Sequence, residues 1–363
     1  MNYTKKELAY IWLDSFLGLE YKHKFQTVEL IDVEKPSFNL TTSREYLIEV
    51  IGKNAYSTLV SSADKVYLEY VLNSLQKRGI TVITANSESY PENLLETPCP
   101  PFVLYCKGDV GLLNGKDNFG IVGSRKSLPL SVKLAENYSE EMLDAGFTLV
   151  TGTADGIDST VLKKAVHSKG KVISVVAGGL DHIYPAINTE LIDKVASIGL
   201  VISEYPPEMI AKPFHFPVRN RIISALSRGV LIVSGALKSG TLYTAEYALE
   251  YGKDLFAVPY NVGIQSGAGC NDLIKRGAIL TDTPKDILDY YGKENNKRKI
   301  DVTEQEKQIL SVLKAEQLHI EKLSALTGKR AYEITPILSV LEIKGLVIRN
   351  GNFYGLTGKL MED

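Results

Sequence analysis

Positive charge and aromatic side chains are concentrated in one stretch of this sequence. Residues 209–245 contain no Asp or Glu, and their charged side chains are Lys212, Arg219, Arg221, Arg228 and Lys238. Phe214 and Phe216 stand close to the first of these cations. Cations beside aromatic rings suit a single-stranded polyanion, because cations contact phosphates while rings stack on unpaired bases. A helix start with core aromatic rings and solvated charges has the same pattern, and the sequence leaves both interpretations open.

A second group of candidate residues lies in short loops rich in glycine, serine and threonine. The clearest are 123-GSR-125 and 239-SGT-241, which contain Gly123, Ser124, Arg125, Ser239, Gly240 and Thr241. Glycine lets a backbone approach a ligand closely, and the N-terminus of a following helix binds anions. Arg125 also belongs to a second stretch without acidic residues, 118–135. Each loop taken alone is equally compatible with ordinary turn chemistry.

Several familiar chemistries have no support in the sequence. There is no GxGxxG or GxxxxGK[ST] motif, and the three cysteines and five histidines form no ligand cluster. Nicotinamide-dependent, P-loop and metal-dependent functions are therefore disfavoured. Asp158, Asp181 and Glu204 lie in the loops of interest, but no nucleophile and base can be paired. We expect no catalytic residue, cofactor or metal.

Short β-branched runs alternate with helical stretches in the middle of the chain. The predicted strands are 119–122, 147–150, 171–176, 199–203, 229–233, 254–258 and 278–280. Apolar runs of this kind are typical of buried parallel strands, and their alternation with helices predicts a doubly wound α/β sheet. Two earlier runs, 80–83 and 102–105, are candidates for an added edge. Since ligands bind beyond the carboxyl ends of such strands, the candidate loops should meet at one edge of the sheet.

Four segments follow from these patterns. Residues 1–78 have helical periodicity, and residues 80–290 form the predicted sheet domain. Residues 292–302 are polar and charged, which is typical of a linker. Residues 303–358 contain three predicted helices (304–314, 319–327 and 331–344) and an Asn-Gly turn between two alternating strands. Three helices with such a hairpin predict a winged helix.

Composition limits the class of protein. The chain has 363 residues and a formal net charge of −2, from 41 basic and 43 acidic residues. A surface that coats any polyanion is therefore excluded, whereas a local cationic pocket is not. No run approaches the roughly 18 apolar residues of a membrane span, and the N-terminus lacks a signal-like pattern. We expect a soluble cytoplasmic protein.

Read in order, the loop motifs resemble those of the DprA/Smf family of DNA-processing proteins. The matching motifs are 121-IVGSR-125, 152-GTADGID-158, 178-GGLDHIYP-185, 203-SEYPP-207, 216-FPVRNRIISALS-227, 239-SGTLYTAEYAL-249, 256-FAVP-259 and 272-DLIKRGA-278. The resemblance implies an extended Rossmann fold without a catalytic role, an N-terminal sterile-alpha-motif-like domain and a winged-helix appendage. It also implies a homodimer that binds and protects single-stranded DNA and loads RecA recombinase onto it in natural transformation, with single-strand-binding protein as a further candidate partner.

The resemblance also suggests roles for individual residues. Arg125 would bind backbone phosphate, with Gly123 and Ser124 shaping the turn. Lys212 would line the same pocket, and Phe216 would contact a base. Arg219, Asn220 and Arg221 would complete the pocket, although either arginine could instead pair with Glu204 or Asp158.

Three positions depart from the family pattern, and one alternative class remains. Asp155 stands where the family often has Arg, Ser234–Gly235 replaces a common Glu-Ala pair, and Ala225 replaces a common Gly. The alternative is an enzyme that resembles the lysine-decarboxylase-like phosphoribohydrolases, whose fingerprint is PGGxGTxxE. The nearest stretch, 234-SGALKSGTLYTAE-246, lacks the PGG, and its Glu246 is misplaced on the predicted helix.

Overall fold

The computed structural model describes residues 3–15, 21–32, 39–40, 44–61, 65–294, 302–313, 317–344 and 346–356. It divides into two compact units, Met1–Asn296 and Lys297–Asp363. Most of the predicted linker, residues 295–301, lies outside the described ranges.

The N-terminal part of the first unit is mainly helical. Its elements are α1 (Lys5–Asp14), α2 (Tyr21–Val28), β1 (Ile31–Asp32), β2 (Asn39–Leu40), α3 (Arg44–Ile51), α4 (Lys53–Ser61) and α5 (Lys65–Lys77). A capping box starts α1, because the Thr4 hydroxyl accepts from the Glu7 amide while the Glu7 carboxylate accepts from the Thr4 amide. Such reciprocal bonds satisfy amides that a helix start leaves unpaired.

A nine-stranded sheet forms the centre of the same unit. Its strands are β3 (Thr81–Thr84), β4 (Val103–Gly108), β5 (Asn118–Gly123), β6 (Thr148–Thr151), β7 (Val172–Val175), β8 (Leu200–Ser203), β9 (Gly229–Ser234), β10 (Asp254–Ala257) and β11 (Ile279–Leu280). Their spatial order is β11-β10-β9-β5-β6-β7-β8-β4-β3. Among these nine strands, β4 alone runs against the others, and it pairs in antiparallel fashion with both β3 and β8. The predicted doubly wound sheet is confirmed, and the two early runs form its antiparallel edge.

Helices cover both faces of this sheet. They are α6 (Glu92–Leu95), α7 (Pro129–Asp144), α8 (Ile157–Ser168), α9 (Thr189–Ile198), α10 (His215–Leu226), α11 (Leu242–Glu250), α12 (Ala268–Lys275) and α13 (Pro284–Tyr290). One apolar cluster includes Ile222 on α10 and Ile232 on β9, and another includes Val161 on α8 and Leu231 on β9. Neighbouring residues of β9 thus point to opposite faces, so the strand is buried on both sides.

The N-terminal helices pack on the antiparallel edge. Trp12 and Leu13 of α1 belong to the same buried cluster as Val82 of β3 and Val103 of β4. The amide of Val82 also donates to the Tyr3 hydroxyl over 3.0 Å. The helical segment therefore shares an apolar core with the sheet.

The second unit is a small helical domain with a three-stranded sheet. Its elements are α14 (Glu304–Leu313), β12 (Leu318–His319), α15 (Ile320–Thr327), α16 (Ala331–Ile343), β13 (Val347–Asn350) and β14 (Phe353–Leu356). The strands are antiparallel, with β14 between β12 and β13. This arrangement confirms the predicted winged helix and adds the short strand β12. Throughout the described part of the chain, no helix is long and apolar enough to cross a membrane.

Candidate nucleic-acid interface

One cavity lies at the point where the strand order reverses. From β5 the chain winds outward through β6, β7 and β8, and it then returns to β9 on the other side of β5. Crossovers that leave in opposite directions open a crevice at the carboxyl ends of the two strands. A cavity of about 500 Å³ occupies this position, and it is lined by Val122, Gly123, Ser124, Arg125, Lys126, Ala154, Asp158, Pro213, Phe216, Pro217, Arg219, Asn220, Ser239, Gly240, Thr241 and Thr244. We call this cavity the switch-point pocket.

The loop after β5 is tightly anchored. A Cβ on Gly123 would collide with the Ile157 side chain, so only glycine fits between β5 and α8. The Ser124 amide donates to the Ser234 hydroxyl over 3.2 Å, and the Ser124 carbonyl accepts from the Ile157 amide over 3.3 Å. Ser234, one of the departures from the family pattern, therefore braces this loop. The anchored backbone leaves the side chains of Arg125 and Lys126 exposed.

Two aromatic rings and a guanidinium meet beside this loop. The Cζ atom of Arg125 lies 4.7 Å from the centroid of the Phe216 ring, over its face. The Tyr184 ring stands nearly perpendicular to Phe216, with 5.6 Å between the ring centroids. A guanidinium held over a ring remains able to bind phosphate through its edge. Arg125 and Phe216 thus offer a phosphate contact and an apolar surface at the same place.

Arg219 and Asp158 form a buried ionic group in the wall of the pocket. Arg219 Nη2 lies 4.0 Å from Asp158 Oδ2, and Arg219 Nη1 donates to the Val175 carbonyl. Burial lowers the pKa of Arg219, although the Asp158 carboxylate opposes that shift. Burial likewise raises the pKa of Asp158, against the effect of Arg219. Since the two charges compensate each other, this group adds shape to the pocket and little net charge.

Asn220 connects this group to the loop after β9. Its side-chain oxygen accepts from Arg219 Nε over 3.1 Å, and its amide nitrogen donates to the Gly240 carbonyl over 3.3 Å. Ser239 and Thr241 hydrogen-bond to each other before α11 begins at Leu242. The Leu242 and Thr244 amides donate to the Ser239 and Thr241 carbonyls, so the start of α11 favours an anion beside the pocket chiefly through the helix dipole.

Two of the sequence-predicted residues lie elsewhere. Arg221 projects from the opposite side of α10 and donates to the Glu204 carboxylate within a second cavity of about 530 Å³. Its position follows from helix geometry, because residues two apart on a helix point in nearly opposite directions. Lys212 is exposed, lies outside the lining of the pocket, and has its Nζ 6.0 Å from the Phe214 centroid.

The structure thus brings together nine of the eleven predicted residues at one cavity: Gly123, Ser124, Arg125, Phe216, Arg219, Asn220, Ser239, Gly240 and Thr241. It also decides the question that the sequence left open for the two arginines of α10. Each pairs with a carboxylate, Arg219 with Asp158 and Arg221 with Glu204. Both arginines brace the fold around α10.

Sequence reasoning missed three residues at or beside the pocket. Lys126 and Thr244 line it, and Tyr184 contacts Phe216. Lys126 follows Arg125 within an acid-free stretch, which was a usable signal. Asp155, which replaces a frequent Arg, is exposed and does not line the cavity. In the described ranges there is no group of His, Cys, Asp and Glu side chains that could hold a metal ion.

Fold and pocket together define the class of this protein. It is a doubly wound α/β protein with a pocket lined by two exposed cations at its switch point, followed by a winged-helix unit. Residues 81–292 match the family described as DNA recombination-mediator protein A, and residues 294–351 match the DprA winged helix domain. The chain belongs to the DprA/Smf family of DNA-processing proteins.

Individual relatives support this assignment. The chain is 39% identical over 264 residues to the DNA processing protein DprA of Bacillus subtilis, which covers 72% of this chain and 88% of that protein. The X-ray structure of DNA processing protein A from Streptococcus pneumoniae matches with a TM-score of 0.67 and 31% identity, covering 80% of this chain and 98% of that one. DNA processing protein A from Helicobacter pylori, whose structure is described for its single-stranded DNA binding mode, matches with a TM-score of 0.54 and 30% identity over 58% of this chain and 95% of that one.

Proposed function

We propose that this protein binds single-stranded DNA in the switch-point pocket and protects it from nucleases. The observation that carries the proposal is the meeting of Arg125, Phe216 and the N-terminus of α11 around one cavity. The cations would bind phosphate, aided by the dipole of α11, and the aromatic ring would contact an unpaired base. The single-stranded DNA binding mode described for the Helicobacter pylori relative supports the same class of ligand.

The charge distribution favours a local contact with a single strand. Arg125 and Lys126 are exposed at the pocket, whereas Arg219 is neutralised by Asp158. The cationic surface is therefore small. A duplex could offer only its sugar-phosphate backbone to this surface, since its paired bases are stacked inside the double helix. A splayed strand can offer phosphate and base together, so it should bind much more tightly.

A charge reversal at the rim of the pocket tests this proposal. Lys126→Glu changes an exposed side chain and leaves the core intact. Fluorescence anisotropy with a labelled oligothymidylate should show binding at least about tenfold weaker than wild type, because two units of charge are altered beside the phosphates. Lys163→Glu, an equally exposed change on α8, is the matched control and should bind normally.

The same titration with a duplex of equal length completes the test. Wild type should bind the duplex poorly, and unlabelled duplex should compete weakly for the protein. If duplex and single strand bind equally well, or if Lys126→Glu binds as tightly as Lys163→Glu, the pocket does not hold single-stranded DNA.

We further propose that the protein acts as a homodimer in the cytoplasm and loads RecA onto the strand that it holds, in transformation or a related recombination pathway. Membership of a family described as recombination mediators supports this role. RecA filament assembly on DNA coated with single-strand-binding protein should accelerate when the protein is added. Unchanged assembly would refute loading, and light scattering coupled to size exclusion tests the dimer.

A nucleotide-cleaving enzyme is less well supported. The carboxylate that such a hydrolase would need, Glu246, is exposed on α11 and does not line the pocket. Asp158, the carboxylate that does line the cavity, faces Arg219. Release of free base from AMP would favour this alternative, and its absence in a chromatographic assay is the expected result.

A further inference from the structure

We infer that Tyr184 is a second base-stacking residue beside the switch-point pocket, so that the site holds two successive unpaired bases. This inference rests on the proposed function and adds to it the side chain that receives the neighbouring base. It is carried by the position, support and exposure of the Tyr184 ring.

The backbone that carries Tyr184 is held by buried neighbours. Thr153, in the loop after β6, donates its hydroxyl to the Tyr184 carbonyl over 3.2 Å. The Thr153 carbonyl in turn accepts from the Asn188 side chain over 2.9 Å. Thr153 and Asn188 are both buried. The ring thus projects from an anchored loop, and a base that stacks on it would cost little additional ordering.

Tyr184 presents the more open of the two rings. Arg125 lies over one face of Phe216, which is itself half-buried. Tyr184 is 54% exposed, and its ring stands at 72° to that of Phe216. An exposed tyrosine ring is a large apolar surface that a base can cover at low entropic cost. The stacking surface that the sequence assigns to Phe216 is therefore only part of what the structure offers.

The angle between the rings selects for a single strand. Neighbouring bases in a duplex are parallel and roughly 3.4 Å apart, so they cannot cover two nearly perpendicular rings. Bases that are splayed apart can do so, one against Phe216 and the next against Tyr184. The two aromatic rings thus provide a physical basis for discrimination against duplex DNA.

The order of the strands also predicts the path of the bound DNA along the edge of the sheet. The loop of Ser239–Thr241 follows β9, on one side of β5, and Tyr184 follows β7, on the other side. The Ser239–Thr241 loop and the exposed Tyr184 ring therefore follow strands on opposite sides of β5, the strand that Arg125 follows. A strand bound by its phosphate near α11 would extend past Phe216 toward Tyr184.

Three Tyr184 variants test the inference. Tyr184→Ala and Tyr184→Leu should bind oligothymidylate roughly 5- to 150-fold more weakly, which corresponds to one lost base stack. Tyr184→Phe should bind within about twofold of wild type, because it retains the ring. Tyr70→Ala removes an even more exposed ring, from α5, and is the control. Tyr184→Leu keeps an apolar side chain at this position. A loss of affinity shared by Tyr184→Ala and Tyr184→Leu therefore cannot be attributed to misfolding of one variant.

An abasic scan separates stacking from other effects. In wild type, removing the base at one position of the oligonucleotide should weaken binding, and this penalty should vanish in Tyr184→Ala, as a double-mutant cycle requires for a direct contact. If Tyr184→Ala binds like wild type, or if the abasic penalty persists in it, the inference is overturned. If Lys126→Glu still weakens binding of the oligonucleotide in the same series, the proposed function stands even though this inference fails.

Discussion

Removal of the Arg125 guanidinium should change the salt dependence of DNA binding by a predictable amount. Arg125 is exposed, and its guanidinium carbon lies 4.7 Å from the centroid of the Phe216 ring. Arg125→Ala should therefore leave the folded core intact. Two exposed cations, Arg125 and Lys126, line the pocket, whereas Arg219 is paired with Asp158. Only the exposed cations should release counterions when phosphate binds.

The size of the effect follows from this count. Each phosphate neutralised on a single strand contributes about 0.7 to the slope of log affinity against log salt. Two contacts give a slope of about −1.4, so a fourfold rise in salt should weaken wild type about 7-fold. Arg125→Ala should have a slope of about −0.7 and weaken about 2.6-fold over the same range. The difference in slope holds even if other surface cations add to both proteins.

Anisotropy titrations between about 50 and 200 mM salt measure these slopes. Arg125→Lys is the informative companion, since it keeps the charge and the slope but loses the planar group over Phe216 and some affinity. Lys163→Ala, an exposed cation on α8, should have the wild-type slope. An unchanged slope in Arg125→Ala would show that this guanidinium contacts no phosphate, and would refute the assignment of the pocket.

Three further predictions concern a glycine beside the pocket, an ion pair in the second unit and the contribution of that unit to DNA binding. Gly156→Ala should lower both the melting temperature and the DNA affinity, because a Cβ at φ +81° would collide with the carbonyls of Ser124 and Arg125. The control Gly146→Ala, at φ +84° with open space around it, should lower the melting temperature and leave DNA affinity unchanged. Glu306→Gln should destabilise the winged-helix unit by about 1 kcal/mol near pH 7. The hydrogen bond from Lys344 at 2.7 Å lowers the pKa of Glu306, so this difference should fade as pH drops below the ordinary carboxyl range in acid titrations of thermal stability. Deletion of residues 297–363 should leave single-strand affinity unchanged and duplex affinity poor, because Lys344, a cation of the winged helix, is occupied by its ion pair with Glu306. A fall in duplex affinity, measured by anisotropy, would instead show that the winged helix binds duplex DNA.

Much of the pocket could be predicted from sequence because its parts are local. The strands β5 and β9 are largely apolar runs, and Gly123 at the end of β5 has no room for a Cβ beside Ile157. A doubly wound sheet brings such loops to one edge whatever their distance along the chain. The motif around Phe216 and the loops at Gly123 and Gly240 were thus placed together correctly.

Side-chain pairing could not be predicted in the same way. Arg219 and Arg221 are two residues apart and chemically identical, and the sequence offered two carboxylates without assigning them. The facing loops decide the matter, since Asp158 follows β6 and Glu204 follows β8 on the opposite side of α10. Lys212 likewise belongs to the right segment but points to solvent outside the pocket.

The sequence by itself determined the class of fold, the loops that form the site and the segregation of charge that makes a net of −2 compatible with an anionic ligand. Only the tertiary structure decided which cations remain free for that ligand and which are consumed in buried pairs. It also placed Tyr184 against Phe216, two residues whose elements meet only through folding. Periodicity and turn chemistry act between neighbours in the chain, whereas burial, ion pairing and ring contacts depend on which distant elements pack together.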